Sequence, residues 1–274
     1  MDFGLINMSP RTERLHLSIN TTSGELQAQV DVPTSFIPIT DIVPVVRSLG
    51  EQAQALEIST TLHAGEKISC QKGCGACCQR IMVPVAPPEA FALAKTLEGL
   101  PQDHRARIEH RLAETRERLH AAGLLPLLQE LSESHNQKTD SDLDPINRAY
   151  YALRLPCIFL ENEACSIYEH RPAACREYLV TSPAELCQDT EKNPVKVLHI
   201  SLRAGTVLGI LWAELTGGPI RLMPLPVAFE WAKKHQDLNK LTWKGSELFN
   251  RAMDGLGKFL HQTLAVLAQK KAGE

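Results

Sequence analysis

The chain has 274 residues, of which 43% are hydrophobic and 22% charged, and this composition is typical of a globular protein with room for a sizeable core. Its formal net charge of −3 argues against a nucleic-acid partner, because such binding draws on an excess of Lys and Arg. The sequence lacks the run of about 20 apolar residues that a membrane helix needs. Residues 1–14 also lack the apolar core of a signal peptide, so we expect a cytoplasmic protein with no membrane partner.

The hydrophobic pattern predicts a mainly α protein with irregular cysteine loops within a helical body and a small N-terminal β-hairpin. Apolar residues alternate with polar ones over 15–19 and 26–32, and the turn signal at 20–24 joins the two strands. Helical periodicity or helix-start signals then predict seven longer helices, at 40–63, 87–97, 102–122, 145–153, 196–216, 224–235 and 244–270. The polar stretch 132–144 is predicted to be a loop. Thr40 is the expected N-cap of the first helix.

These elements suggest three regions. We expect a hairpin extension at 1–38, a cysteine-cluster metal-binding domain at 39–190 with a helical insert at about 87–153, and a C-terminal helical region at 191–274 packed on that domain. The absence of alternating strands and helices argues against a parallel sheet or barrel. Interspersed charges along 102–122 predict a solvated helix face, with a partner-binding face as the alternative.

Eight cysteines dominate the middle of the chain and form two groups of four on either side of the helical insert. In a reducing compartment disulfides rarely persist, so metal ligation is the first explanation to consider, ahead of thiol redox chemistry and of buried, inert thiols. Thiolates suit both zinc and iron–sulfur clusters. The candidate ligands are Cys70, Cys74, Cys77, Cys78, Cys157, Cys165, Cys175 and Cys187. Eight thiols fit two four-thiolate sites, and equally one such site with four spare cysteines.

The first group has features that favour a ligand loop. Gly73 and Gly75 flank Cys74 and permit backbone conformations with positive φ. Cys77 and Cys78 are adjacent, so in an extended chain they would point in opposite directions, and only a bent loop would let both reach one metal. Four basic residues close to the cysteines in sequence are predicted to favour thiolate over thiol: Lys72, Arg80, Arg171 and Arg176.

The spacings favour iron–sulfur over zinc as the cofactor. Structural zinc sites often pair short spacings from both sides, and only the first group here has them. The spacing of Cys70, Cys74 and Cys77 is also that of the radical S-adenosylmethionine loop. That loop usually has an aromatic residue where this chain has Ala76, and it belongs to a strand–helix barrel that the sequence does not predict.

Three segments together resemble a known family: Cys-Gly-Ala-Cys-Cys at 74–78, Cys-Ile-Phe-Leu at 157–160, and Cys-Ser-Ile-Tyr-Glu-His-Arg-Pro-Ala-Ala-Cys-Arg at 165–176. It is the zinc- or iron-chelating cysteine-cluster family of the YkgJ type, and the resemblance covers about 70–190. It implies a metal centre rather than a particular reaction. Relatives include flagellin lysine N-methylases, and many members are labelled Fe–S oxidoreductases. The family's name indicates two residues between the first cysteines, whereas this chain has three after Cys70.

The last of these segments, 165–176, also allows predictions about its local structure. Pro172 suits the first position of a short helix at 173–179, which places Cys175 in a first turn where the helix dipole lowers thiol pKa. Tyr168 is predicted to pack, and His170 to be a solvated turn residue rather than a ligand. Arg171 and Arg176, introduced above, are expected either to hydrogen-bond sulfur or to pair with carboxylates.

Three functions remain open on the sequence. The first is a metal-binding protein whose iron–sulfur or zinc centre is structural or electron-transferring. The second is an enzyme, either an Fe–S oxidoreductase or one resembling a protein lysine N-methyltransferase. The third is a zinc-stabilised interaction module whose C-terminal helices bind an unknown protein partner.

Overall fold

The computed structural model describes residues 11–21, 23–134, 136 and 138–272, and it is mainly helical, as predicted. Residues 1–10, which we assigned to the hairpin extension, lie outside the described residues. The helices are α1 Val43–His63, α2 Pro87–Glu98, α3 Gln102–Ala121, α4 Leu124–Glu133, α5 Asp140–Ala152, α6 Ala173–Glu177, α7 Ala204–Thr216, α8 Leu225–Lys234, α9 Gln236–Asn239 and α10 Gly245–Ala272. The strands are β1 Thr12–Thr21, β2 Gly24–Pro33, β3 Phe36–Pro38, β4 Pro84–Val85, β5 Leu160–Glu161, β6 Ala164–Cys165, β7 Met223–Pro224 and β8 Thr242–Lys244.

The N-terminal hairpin is confirmed and contributes one face to the core. Strands β1 and β2 pair antiparallel from Thr12 opposite Pro33 to Thr21 opposite Gly24. Because side chains alternate along a strand, the apolar residues of β2 share one face, which is buried against α1 and α10. That face consists of Leu26, Ala28, Val30 and Val32.

The core of the molecule lies around α2 and α7. Helix α2 packs against α7 and α8, and α7 packs against α1 and α10. Phe91 of α2 contacts Trp212 of α7 and Trp231 of α8, with ring centroids 6.1 and 5.4 Å apart. The two tryptophan rings meet edge to face at 5.4 Å, so both side chains pack in the core.

Two short sheets tie remote parts of the chain together. Strand β3 pairs with β8, which brings Phe36 opposite Lys244. Strand β4 pairs with β7, which brings Val85 opposite Met223. The second pairing fixes the exit of the first cysteine loop, because β4 follows that loop within six residues.

Three predicted helix starts are wrong. Thr40 is not an N-cap, since a 3₁₀ turn at Ile39–Ile42 precedes α1. Helix α5 begins at Asp140, inside the predicted loop, because Thr139 and Asp142 form a capping box. Helix α7 begins at Ala204 rather than at 196, and the chain before it runs extended, with Val197 bridged to Val180. Positions 135 and 137 of the predicted loop lie outside the described residues.

The charged helix α3 is less solvated than its pattern suggested. Arg107 and Arg111 both contact the Glu161 carboxylate in the β5–β6 hairpin, at 3.3 and 2.6 Å. Arg116 pairs with Glu230 of α8. Part of the charge pattern therefore serves contacts within the protein.

Within the part of the chain that the structure describes, no helix is long and apolar enough to cross a membrane.

Candidate metal centre

The first cysteine loop is anchored on the chain that follows α6. The Ser69 amide donates to the Val180 carbonyl at 2.9 Å. The Val180 amide donates in return to Cys70 Sγ at 3.4 Å. These bonds place the start of the first cysteine group beside a segment more than 100 residues later in the sequence.

A tight turn resolves the geometric difficulty of adjacent Cys77 and Cys78. The chain forms a 3₁₀ turn at Cys77–Gln79, and the Cys78 amide donates to the Gly75 carbonyl at 3.0 Å. In this bent backbone the two thiols interact directly, and that interaction is the largest cause that raises the pKa of Cys77. The bent alternative is therefore the one that the chain adopts.

The turn also contacts the second cysteine segment. The Cys157 amide donates to the Cys78 carbonyl at 2.7 Å, which joins the two halves through the backbone. Gly75 lies so close to the β5–β6 hairpin that a Cβ atom there would sit 2.3 Å from the Glu163 carbonyl oxygen. Gly73 has φ of 92°, in the left-handed region that favours glycine. Gly73 therefore permits the loop conformation, and Gly75 permits the close packing against the hairpin.

Replacing Gly75 with alanine is expected to lower the free energy of unfolding by about 1–3 kcal/mol, the usual cost of overpacking. The new methyl group would meet backbone atoms of Glu163, which are not free to rotate away. Gly257→Ala is the matched control, because a Cβ there meets nothing within 4 Å and a helix favours alanine. Denaturant unfolding of both variants checks the prediction, and equal stabilities would contradict it.

The β5–β6 hairpin sets the positions of Cys157 and Cys165. Cys165 pairs with Leu160 across the hairpin, and the Ser166 amide donates to the Phe159 carbonyl at 2.8 Å. Asn162 and Glu163 take the positive φ values that the tight turn requires, 49° and 61°. This hairpin was not predicted from the sequence, because its strands are only two residues long.

A buried carboxylate positions the helix of Cys175. Glu89 of α2 is fully buried, and its Oε1 accepts a hydrogen bond from the Ala173 amide at 2.8 Å, at the N-terminus of α6. Arg47 of α1 donates to the same oxygen at 2.9 Å. Glu177, at the other end of α6, accepts from the Ala204 amide at 2.5 Å, and burial raises its pKa to about 7. The sequence analysis missed Glu89, which lies outside the cysteine motifs.

The Cys157–Cys78 backbone hydrogen bond brings the two cysteine segments together, and thiols of one sequence group influence the pKa of thiols of the other. All eight are free thiols, and all except the buried Cys187 are partly exposed. Burial raises the pKa of Cys157 to about 12, with further increases from Cys165 and Cys77. Burial raises the pKa of Cys175 well above its usual value, and the charges of Cys157, Cys77 and Cys165 add to this.

We divide the thiols into two sets according to which cysteines influence one another's pKa. What we call the first sulfur set comprises Cys70, Cys74 and Cys187, because Cys187 feels the charges of the other two. The second sulfur set comprises Cys157, Cys165 and Cys175. Cys77 acts on members of both sets and Cys78 lies beside it. The late residue Cys187 therefore groups with the early cysteines.

The prediction that nearby cations hold the cysteines as thiolates is wrong for Cys70, Cys187, Cys157, Cys165 and Cys175, because burial raises the pKa of each. Burial is the largest cause that raises the pKa of Cys70, Cys165 and Cys187, the last to about 11. The first turn of α6 does not lower the pKa of Cys175 either, since burial outweighs the dipole of a five-residue helix. Thiols with raised pKa values bind metal with release of protons.

Three of the four predicted cations are engaged elsewhere. Lys72 pairs with Glu169 at 2.7 Å, and Arg80 pairs with Asp189 at 2.6 Å. Arg176 pairs with Glu51 at 2.6 Å, so the carboxylate alternative holds for it. These ion pairs hold the loops in place and do not serve to stabilise thiolates.

Arg171 is the predicted cation whose charge reaches thiols of both sets. It lowers the pKa of Cys70, Cys165 and Cys175, although burial dominates in each case. Its guanidinium lies 4.0 Å from the centre of the Tyr168 ring, which confirms a packing role for that tyrosine. His170 is exposed, in agreement with its prediction.

Two further residues near the sulfurs were not identified from the sequence. Arg111 lowers the pKa of Cys157 and donates to the Ile158 carbonyl at 2.7 Å. Tyr178 lowers the pKa of Cys187, and its backbone carbonyl accepts a hydrogen bond from Cys70 Sγ at 3.9 Å. Arg111 belongs to a helix that we interpreted as solvated, and only its spatial position shows its relation to the cysteines.

The thiols are chemically suited to zinc or an iron–sulfur group, but the distances between their sulfur atoms in this structure do not fit such a group. Soft sulfur donors are the preferred ligands of both groups. Among the described residues, however, no set of three or more His, Cys, Asp or Glu side chains could hold a metal ion. A bound metal would therefore have to draw the sulfurs closer together, and the loops that carry them would have to adjust.

Comparison with known proteins gives one match. Residues 69–196 match the CxxCxxCC family model, whose description is "Putative zinc- or iron-chelating domain". The matched region contains all eight cysteines and both sulfur sets, and it begins one residue before Cys70. No curated protein and no solved structure matches the chain.

The CxxCxxCC match covers less than half of the chain and leaves out the hairpin, α1 and α7 to α10. It supports the expected zinc or iron chelation at the coarse level of its description. It names neither the YkgJ type nor a link to flagellin lysine N-methylases, so both stay predictions. Helices α1 and α7 lie outside the match, yet they supply Arg47 and the Ala204 amide to the network that positions α6.

Proposed function

We propose that this protein binds iron–sulfur clusters or zinc through its eight cysteines, at two centres that each use one sulfur set. The observation that carries the proposal is the convergence of thiols from two remote segments around Cys77. Each set supplies three sulfurs, and the adjacent pair Cys77 and Cys78 supplies a fourth ligand to each. Four sulfurs per centre is the number that zinc and [4Fe–4S] or [2Fe–2S] clusters require.

The role that best fits this arrangement is structural. The cysteine loops contain few long elements of secondary structure, and hydrogen bonds such as that from Cys157 to Cys78 join them at single points. A metal at each set would cross-link the chain before α2 to the chain after α5. Sulfur ligation would then contribute directly to folding of the region.

We further propose iron–sulfur rather than zinc as the occupant, on the argument from spacing. In space as in sequence, each set combines ligands from separated segments rather than two short Cys-x₂-Cys pairs. Electron transfer would add to the structural role if the cluster is reduced reversibly. An oxidoreductase or a methyltransferase would in addition need a substrate site.

Anaerobic purification followed by metal analysis and absorption spectroscopy tests the proposal. We expect several irons per chain, with sulfide, and a broad visible band that dithionite bleaches. A colourless protein with two zinc ions would keep the two-centre proposal and overturn the choice of iron. A protein that retains neither metal after anaerobic purification and reconstitution would overturn the proposed function itself.

A further inference from the structure

A concave cavity of about 550 Å³ is lined in part by Ile81, three residues after Cys78. Its volume falls in the range of sites for small organic ligands. Its walls come from α4, α5, the chain around Ile81 and the segment that leads into β7. Most lining side chains are apolar, among them Leu128, Leu131 and Ile146.

The charged residues in the lining are of one sign. Lys138 and Arg221 line the cavity, and none of the described residues that line it is Asp or Glu. Lys138 is exposed. Arg221 is half-buried, and its guanidinium donates to the carbonyls of Ser132, in the last turn of α4, and of Ser134, just after α4. Two cations therefore stand at the edge of an apolar surface.

The acids nearest to these cations are committed to other partners. Glu133 acts on Arg221 but pairs with Lys234 at 2.8 Å and with His235 at 3.3 Å. Asp142 acts on Lys138 but accepts hydrogen bonds from Thr139 in the capping box of α5. Neither of these two acids lines the cavity, so the charges that an anionic group of a ligand would face directly are those of Lys138 and Arg221.

We propose that this cavity binds a small amphipathic carboxylic acid, with its apolar chain against Leu128, Leu131 and Ile146 and its carboxylate at Lys138 and Arg221. The apolar walls provide the free energy of burial, at roughly 25 cal/mol per Å². The two cations select an anionic headgroup over a neutral one. Ser134 and Asn147, which also line the cavity, add hydrogen-bond partners for the headgroup.

The position of the cavity brings this ligand close to the cysteine region without making it part of that region. A smaller cavity of about 180 Å³ shares Ile81, Pro84 and Leu222 with it and reaches Cys175. Tyr151, which lines the larger cavity, lies 5.6 Å beneath the Arg80 guanidinium. The site is thus independent of the metal ligands, and its test does not depend on the proposed metal.

Titration calorimetry with decanoate, decyl phosphate and decanol tests the proposal on the full chain. We expect decanoate to bind at least about tenfold more tightly than decanol, because the two cations favour an anionic headgroup. Tighter binding of decyl phosphate than of decanoate would overturn the choice of a carboxylate. Lys138→Gln should weaken decanoate binding about threefold, as for an exposed ion pair, and leave decanol binding unchanged. Equal binding of decanoate and decanol, or an unaffected Lys138→Gln variant, would overturn the carboxylate assignment.

A matched pair of leucine variants tests the location. Leu222 lines the cavity and Leu241 does not, and the two are similarly exposed, at 45% and 51%. Leu222→Asp places a negative charge in the apolar wall and should reduce decanoate affinity at least about tenfold, whereas Leu241→Asp should not change it. Circular dichroism and metal content confirm that both variants are folded. Loss of binding in both variants, or in neither, would overturn the proposed site.

Discussion

The variant Cys77→Ser is expected to lose most of the bound metal and to melt at a lower temperature than the unmodified protein. Cys77 is the cysteine whose charge acts on both sulfur sets, so its loss disturbs both proposed centres. Because metal ligation is coupled to folding, the loops at 70–78 and 157–187 should lose order together with the metal. Metal analysis and thermal unfolding of the purified variant measure both effects.

A second variant separates the two centres. Cys175→Ser touches only the second sulfur set, so we expect it to retain about half of the metal. Ala76→Ser is the control, because it places a new hydroxyl next to Cys77 without removing a sulfur. Unchanged metal content and melting temperature in both cysteine variants would contradict the account. Equal losses in both would contradict the division into two sets.

The variant Glu89→Ala is expected to lower the free energy of unfolding by about 3–5 kcal/mol, the usual effect of removing one partner from a buried ion pair. The change leaves Arg47 without its partner carboxylate, and the Arg47 side chain is only 13% exposed. It also leaves the Ala173 amide at the start of α6 without its acceptor. Urea unfolding measures the change in stability.

Glu98→Ala is the control for this experiment. Glu98 is on the same helix, α2, but it is exposed, so its replacement should change stability by no more than about 0.5 kcal/mol. Glu89→Ala should also reduce metal content, because α6 carries Cys175. A Glu89→Ala variant as stable as Glu98→Ala would show that the buried network does not hold α6 in place.

Most of the long elements of this fold are predictable from sequence, because their apolar residues recur with a clear period, but helix α4 was not predicted. The alternation in β2 and the helical periodicity of α1 and α2 identify these elements to within three residues. Helix α7 shows the limit. Its start depends on the bridge between Val180 and Val197, a contact between segments that sequence periodicity does not record.

The candidate site was likewise predictable from the sequence only in part. The eight cysteines can be identified as candidate metal ligands from their clustering in the sequence and from the expected reducing compartment. Their grouping in space cannot be identified in this way, since Cys187 joins the set of Cys70 and Cys74 through the fold rather than through spacing. The thiolate prediction failed for a physical reason, because sequence proximity of Arg80 and Arg176 to cysteines says nothing about which carboxylates those side chains reach. Glu89 was missed because its partner, the Ala173 amide, is 84 residues away.

X-ray absorption spectroscopy at the edge of the metal that co-purifies with the protein tests the central claim most directly. The account predicts a first coordination shell of about four sulfur atoms at roughly 2.3 Å, for zinc and for iron alike. A first shell made mainly of nitrogen or oxygen would contradict it, because the converging thiols would then not be the ligands.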